Sequence, residues 1–159
     1  MARSTGHITV AAVGRLREAH WQAAQADYVK RLSHYTDFRL TEVKDAVGKS
    51  LPDSVAMARE AEQLLAAVPR GARLLLMDAG GRQMTSLELA GYLQTQLEAH
   101  GKLAFLIGGS AGFDAAIIDA ADDRLALSRL TFPHEMARVI LLEQLYRAFT
   151  ILRGEPYHK

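Results

Sequence analysis

The sequence predicts an α/β fold, a mostly parallel sheet flanked by helices, and three observations carry that prediction. Short apolar or alternating runs around Val10, Leu40, Leu75, Phe105 and Leu125 have the length and composition of strands. Longer stretches with helical periodicity separate them, the alternation expected of strand–helix–strand units. Two of the runs, at Leu74-Leu75-Leu76-Met77 and Leu103-Ala104-Phe105-Leu106-Ile107, are apolar throughout, as strands covered on both faces must be.

Taken in order, the first strand spans His7 to Val13 and stops at Gly14. A helix rich in Ala, Gln and basic residues follows over roughly 17–33. The strict alternation of Phe38-Arg39-Leu40-Thr41-Glu42-Val43 marks a strand at a sheet edge or with one wet face. Residues 44–51 read as a polar loop. The helix after it, 52–67, opens on Pro52, which a first turn tolerates, and sets Val55, Met57, Ala58, Ala61, Leu64 and Leu65 near one stripe. Residues 73–78 form a candidate central strand, and Ala79-Gly80-Gly81 then turns the chain. Thr85-Ser86-Leu87-Glu88 is a capping box that starts a helix, and Gly101 stands where such a helix stops. The 103–107 strand runs into Gly108-Gly109-Ser110-Ala111-Gly112. A short helix over 114–121, a short strand over 124–128, a loop over 130–133 and a long helix over 134–152 complete the pattern. Pro156 prevents that last helix from continuing.

A chain of 159 residues without repeat, linker or low-complexity segment reads as one domain, 1–159. Its 49% hydrophobic and 23% charged residues are those of a globular protein in water. Zero cysteines exclude a disulfide scaffold, thiolate catalysis and a Cys-based zinc site, and they fit a reducing, cytoplasmic setting. The N-terminus lacks the apolar stretch of a secretory signal, and no apolar run approaches the ~18 residues of a membrane span. The net charge of +1 gives no global sign of nucleic-acid binding. Any RNA contact must come from local basic clusters or from a surface completed by a second subunit.

Two motifs fail on inspection. Gly48-Lys49-Ser50 would be a phosphate loop, but the pattern needs glycine where Val43 stands. His134-Glu135-Met136-Ala137-Arg138 begins like a zinc-protease helix and fails at Arg138, so no metal site is expected. What survives is a set of three strand ends. Ligands of open α/β sheets bind beyond the carboxyl ends of parallel strands. Here those ends carry Asp78-Ala79-Gly80-Gly81, then the 108–112 glycine loop, then Ser128-Arg129-Leu130-Thr131-Phe132-Pro133-His134. Glycines let backbone approach a ligand, while Leu130, Phe132 and Pro133 offer an apolar wall suited to an adenine ring. The long helix presents Arg138 and Arg147, and its wide apolar face fits core packing and also a subunit interface. From periodicity alone the chain is an α/β ligand-binding domain.

The spaced set Leu106-Ile107-Gly108-Gly109-Ser110-Ala111-Gly112, Leu127-Ser128-Arg129-Leu130-Thr131-Phe132-Pro133-His134, Leu145-Tyr146-Arg147-Ala148 and Pro156-Tyr157-His158 resembles the RlmH family of SPOUT-class methyltransferases. The resemblance covers essentially the whole chain, including Val13-Gly14 and the strand ending at Asp78. It implies a SPOUT-type sheet with a deep C-terminal trefoil knot over roughly 73–159, a feature that sequence physics alone does not suggest. It implies S-adenosyl-L-methionine as cofactor, a homodimer, and methylation of N3 of a pseudouridine in the helix 69 loop of 23S rRNA in the assembled ribosome. Matched by position, the cofactor contacts are Met77, Gly109, Ser128, Arg129, Leu130, Thr131, Phe132 and Pro133. Met77 stands where leucine is usual, and Ser110 where proline is common. A short N-terminal extension carries no assigned role.

Methyl transfer to an imide nitrogen needs its proton removed or its anion stabilised. His134, Arg138, Tyr157 and His158 are the catalytic candidates, with Arg147 a substrate-binding cation. The resemblance places the Tyr157-His158 tail near the cofactor. Two subunits could pool Arg15, Arg17, Lys30, Arg31, Arg129 and Arg138 for RNA across one cleft. A SPOUT enzyme acting on tRNA, and a non-catalytic RNA-binding protein of the same fold, are the alternatives.

Overall fold

The computed structural model describes residues 6–159; the first five residues of the N-terminal extension lie outside it. Five strands and five helices alternate: β1 (His7–Val13), α1 (Ala19–Leu32), β2 (Asp37–Val43), α2 (Asp53–Ala67), β3 (Arg73–Gln83), α3 (Ser86–His100), β4 (Lys102–Ile107), α4 (Ala115–Ala120), β5 (Asp123–Ala126) and α5 (His134–Leu152). The strands form one sheet in the order β2-β1-β4-β3-β5, and every pairing is parallel. All carboxyl ends therefore lie along one edge. The alternating strand, β2, is an edge strand, as its pattern predicts.

Successive residues of a strand face opposite ways, and both faces here are covered. Ile8, Val10 and Ala12 of β1, Leu75 of β3 and Leu103 and Phe105 of β4 pack with Leu93 of α3 and Leu141, Leu142 and Leu145 of α5. On the other face Ala11, Leu74, Leu76 and Leu106 pack with Ala61 and Leu64 of α2 and Ile117 of α4. This double coverage explains the uninterrupted apolar runs. The apolar stripe of α5 is largely spent inside the chain, because the helix packs between α1 and α3.

Three local expectations change. The buried side of α2 is Ala56, Glu60, Ala61 and Leu64, while Val55 and Leu65 are exposed. The strand at β5 is displaced toward the N-terminus, Asp123–Ala126 rather than 124–128. Ala79-Gly80-Gly81 does not turn the chain: β3 continues to Gln83 through a break in register between Met77 and Arg82. Gly81 makes this possible, since a Cβ there would lie 2.7 Å from the backbone of Arg124 and Leu125. The capping box forms as expected, with Glu88 N–H donating to Thr85 Oγ1 (3.1 Å) and Thr85 N–H to Glu88 Oε2 (2.7 Å). Among the described residues, no helix is long and apolar enough to cross a membrane, and no cluster of His, Asp and Glu is arranged to hold a metal.

Candidate active site

A cavity of about 410 Å³ opens where the register break of β3 and the carboxyl ends of β4 and β5 meet the first turns of α5. Of the expected cofactor residues, Met77, Gly109, Ser128, Leu130, Thr131 and Phe132 line it, as does His134. Arg129 and Pro133 are exposed and stand outside the lining. Pro133 instead begins α5, its carbonyl accepting from Ala137 N–H at 2.9 Å. Ser128 Oγ accepts from Leu130 N–H at 3.0 Å and so shapes the wall that follows β5.

The glycine loop is tight. Gly112 N–H donates to Gly109 C=O at 3.0 Å, and Gly112 takes φ +83°, a conformation side chains disfavour. A Cβ on Gly109 would fall 2.9 Å from Glu60 Oε1 and 3.1 Å from Val13 Cγ1. Glu60 is 2% exposed, and its Oε2 accepts from Ala46 N–H (2.9 Å) and Val47 N–H (3.2 Å). Its Oε1 has no hydrogen-bond partner among the described residues and faces the loop.

The cavity carries one carboxylate, that of Asp78. Arg124 donates to it, burial opposes ionisation, and Gly80 N–H donates at 3.2 Å; the net result holds the carboxyl below its usual range. An apolar wall of Leu127, Leu130 and Phe132, glycine backbone and a charged carboxylate fit a ligand that joins an aromatic base to a cationic group.

A second group of side chains gathers at the far end of α5. Glu143 Oε1 accepts from Arg147 Nε (3.0 Å), Arg147 Nη2 (2.6 Å) and Tyr157 Oη (3.0 Å). Arg147 Nη1 lies 3.1 Å from His158 Nδ1, and its guanidinium stands 4.9 Å from the centre of the Tyr157 ring. The Glu143 hydrogen bond raises the Arg147 pKa, and burial followed by that same carboxylate raises the Tyr157 hydroxyl, which therefore stays protonated. Glu143 escaped the sequence reading; its spacing of four from Arg147 on a helix was the available signal.

The two groups do not meet within one chain. None of Glu143, Arg147, Tyr157 or His158 lines the cavity, and Arg147 stands thirteen positions along the helix from His134 at the cavity mouth, about 20 Å of axis. Arg138, expected near the chemistry, is 4% exposed and faces the other way. It donates to Glu42 Oε2 (2.5 Å), Gln25 Oε1 (3.3 Å), Gly14 C=O (2.9 Å) and Val13 C=O (3.3 Å). Its position is that of a clamp on the ends of β1 and β2. Arg31 is likewise engaged, with Asp27 at 3.1 Å and beside the Tyr28 and Tyr146 rings.

Residues 7–158 match the family described as "Predicted SPOUT methyltransferase". The chain is 44% identical over 160 residues to the ribosomal RNA large subunit methyltransferase H of Ruminiclostridium cellulolyticum, covering 96% of this chain and 99% of that one. It is 43% identical over 152 residues to the protein of the same name from Gemmatimonas aurantiaca, again covering 96% and 99%. Among solved structures it is similar to that of "a probable methylase family protein" from Haemophilus influenzae Rd KW20, with TM-score 0.50 and 15% identity over 98% of this chain and 70% of that one, a likeness of fold alone. Sheet, cavity and sequence agree: the chain belongs to the SPOUT methyltransferase family, among the ribosomal RNA large subunit methyltransferase H proteins.

Proposed function

We propose that the protein is an S-adenosyl-L-methionine-dependent methyltransferase that acts in the cytoplasm on N3 of a pseudouridine in the helix 69 loop of 23S rRNA, within the assembled ribosome. The observation that carries this reading is the cavity at the carboxyl edge, apolar on one side, glycine-lined on another and bearing the Asp78 carboxylate. Met77, Gly109, Ser128, Leu130, Thr131 and Phe132 would hold the cofactor, which supplies the methyl group. Arg129 and Pro133 act from outside the lining, Pro133 by fixing where α5 begins. The names of the relatives support ribosomal RNA as the substrate class. The resemblance supports a knot over roughly 73–159, and the placement of β5 outside β3 accords with it.

The working unit in this reading is a homodimer. None of Glu143, Arg147, Tyr157 and His158 lines the cavity, whose lining on α5 ends at Leu141, so in this reading a tail from the second subunit completes each cavity. Glu143 fixes Arg147 and Tyr157. Arg147 is then a rigid donor fork for a pyrimidine oxygen or a phosphate. Tyr157, its one hydroxyl proton committed to Glu143, orients the base through its ring and its oxygen lone pairs and does not take a proton. His158 is assigned to accept the N3 proton, through the Nδ1 that becomes free when Arg147 Nη1 turns from it to the substrate, with His134 at the cavity mouth. The test is methyl transfer from labelled cofactor to ribosomes, with mass mapping of the product. Wild-type protein should modify one pseudouridine in the helix 69 loop, and His158→Ala should lose that activity while binding cofactor normally. Full methylation by His158→Ala would remove the base assignment, and modification of tRNA instead of ribosomes would remove the substrate.

A further inference from the structure

We infer that a second cleft, at the carboxyl ends of β1 and β2, grips the phosphodiester backbone of the RNA; this rests on the reading of the substrate as RNA. The cleft encloses about 590 Å³ beside Gly14, and Arg15, Arg17, Lys44 and Lys49 stand around it. All four are exposed, and none of their cationic groups has an ion pair, hydrogen bond or ring contact among the described residues. The two acids of the cleft are already engaged. Glu42 is paired with buried Arg138 at 2.5 Å, and Asp45 Oδ1 accepts from Val47 N–H at 3.2 Å. A chain with a net charge of +1 thus concentrates unpaired positive charge at one place. Phosphate contacts supply most sequence-independent RNA affinity, and such a patch is the footprint they need.

The cations also sit on fixed backbone. Glu135, the neighbour of His134, accepts from Arg17 N–H (2.6 Å) and Glu18 N–H (3.3 Å), tying the first rim to α5. On the other rim Gln63 Oε1 accepts from Lys44 N–H (3.0 Å), and Glu60 holds Ala46 and Val47. At Arg17 and Lys44 the main chain is held while the charged ends stay free, which lowers the ordering cost of binding. The cleft lies next to the cofactor cavity, because β1 pairs with β4 and Val13 touches the Gly109 loop. An RNA strand seated there runs past the cavity mouth. Of the cations that the sequence suggested pooling, Arg15 and Arg17 serve here, Arg138 is committed to the fold, and Lys44 and Lys49 were not foreseen.

The test compares Arg17→Ala/Lys49→Ala and Arg15→Ala/Lys44→Ala with wild type. Dissociation constants for large ribosomal subunits are measured over a series of KCl concentrations, with cofactor affinity by calorimetry as the control for folding. Each pair should weaken binding about tenfold or more, and reduce the slope of log K against log salt by about 1.4–1.8, the release expected for two phosphate contacts. Cofactor affinity should be unchanged, and KM for ribosomal subunits should rise at constant kcat. Arg70→Ala/Lys102→Ala, at the opposite edge of the sheet, should leave affinity and slope intact. Unaltered affinity and slope in both cleft pairs, or an equal loss in the control pair, would overturn the inference. Wild-type protein that binds subunits without transferring methyl would remove the proposed reaction, while losses confined to the cleft pairs would still uphold the cleft.

Discussion

Replacing Arg138 by alanine should cost stability rather than chemistry, and the size of the effect can be worked from the clamp. Arg138 is 4% exposed, and its guanidinium bonds the Glu42 carboxylate, the Gln25 amide and the carbonyls of Val13 and Gly14. Removing one partner of a fully buried ion pair costs about 3–5 kcal/mol. The Glu42 side chain is 31% exposed and can rehydrate, which favours the lower end. Two carbonyls left without their donor add to the loss by roughly 1 kcal/mol or more where water cannot reach them. About 3–4 kcal/mol in total, at about 2–4 °C per kcal/mol for a chain of this size, corresponds to a fall in Tm of roughly 6–16 °C. Arg138→Lys should recover only part of this, because one ammonium cannot bridge a carboxylate and two carbonyls at once. Urea and thermal unfolding, run beside cofactor titration and methyl transfer below the transition, separate the two roles. If Arg138→Ala stayed within about 1 kcal/mol of wild type yet lost methyl transfer, the clamp would be wrong and the arginine would belong to the reaction.

Other perturbations follow from the same geometry. Gly109→Ala puts a methyl group 2.9 Å from Glu60 Oε1 and 3.1 Å from Val13, so the loop must shift; calorimetry should show cofactor affinity reduced at least about tenfold with the far-UV spectrum unchanged. Glu143→Gln keeps an acceptor but removes the charge that fixes Arg147 and Tyr157, and kcat should fall about 10–100-fold while cofactor affinity holds. Asp78 has its carboxyl held below the usual range by Arg124, so its contribution to stability is complete above the ordinary carboxylate value and is lost as pH falls through the lowered one. Urea midpoints should therefore separate wild type from Arg124→Ala near neutrality and converge in acid; parallel curves down to about pH 3 would exclude this pair as the cause. Gly81→Ala, whose Cβ would strike the β5 backbone at 2.7 Å, should destabilise the chain by about 1–3 kcal/mol in the same assay.

The strands, the capping box at Thr85 and the stop at Gly101 were legible because each is decided by residues adjacent in sequence. The continuation of β3 was not. Gly80-Gly81 carries the local signature of a turn, and only the approach of β5 shows why small residues are needed there. Glu60 was hidden among the apolar residues of α2, since its partners are backbone amides of a loop thirteen and fourteen positions earlier. Arg138 was misplaced for the same reason at longer range, its partners Glu42 and Gln25 lying 96 and 113 residues away. The cavity itself was foreseen from three strand ends, two of them glycine-bearing, and from a family resemblance. The absence of the Tyr157-His158 tail from that cavity became visible only with its partners Glu143 and Arg147 on α5.

The strand order has a consequence for how the chain is made. β1, formed from the first described residues, takes β4 as its second partner, so His7 must wait for Lys102, 95 positions later. α5, the last of the described elements in chain order, covers one face of that same sheet. Local contacts can build α1 or the β1–β2 pair early, and the α2–α4 layer can close once Ile117 is available, but the other layer does not close until α5 is made. Loop closure of this span makes folding slow relative to a helical bundle of equal size and leaves apolar strands uncovered in nascent chains. A nascent chain stalled before α5 should therefore be protease-sensitive in α1, α3 and the strand faces they cover, and release of α5 should confer protection on them together.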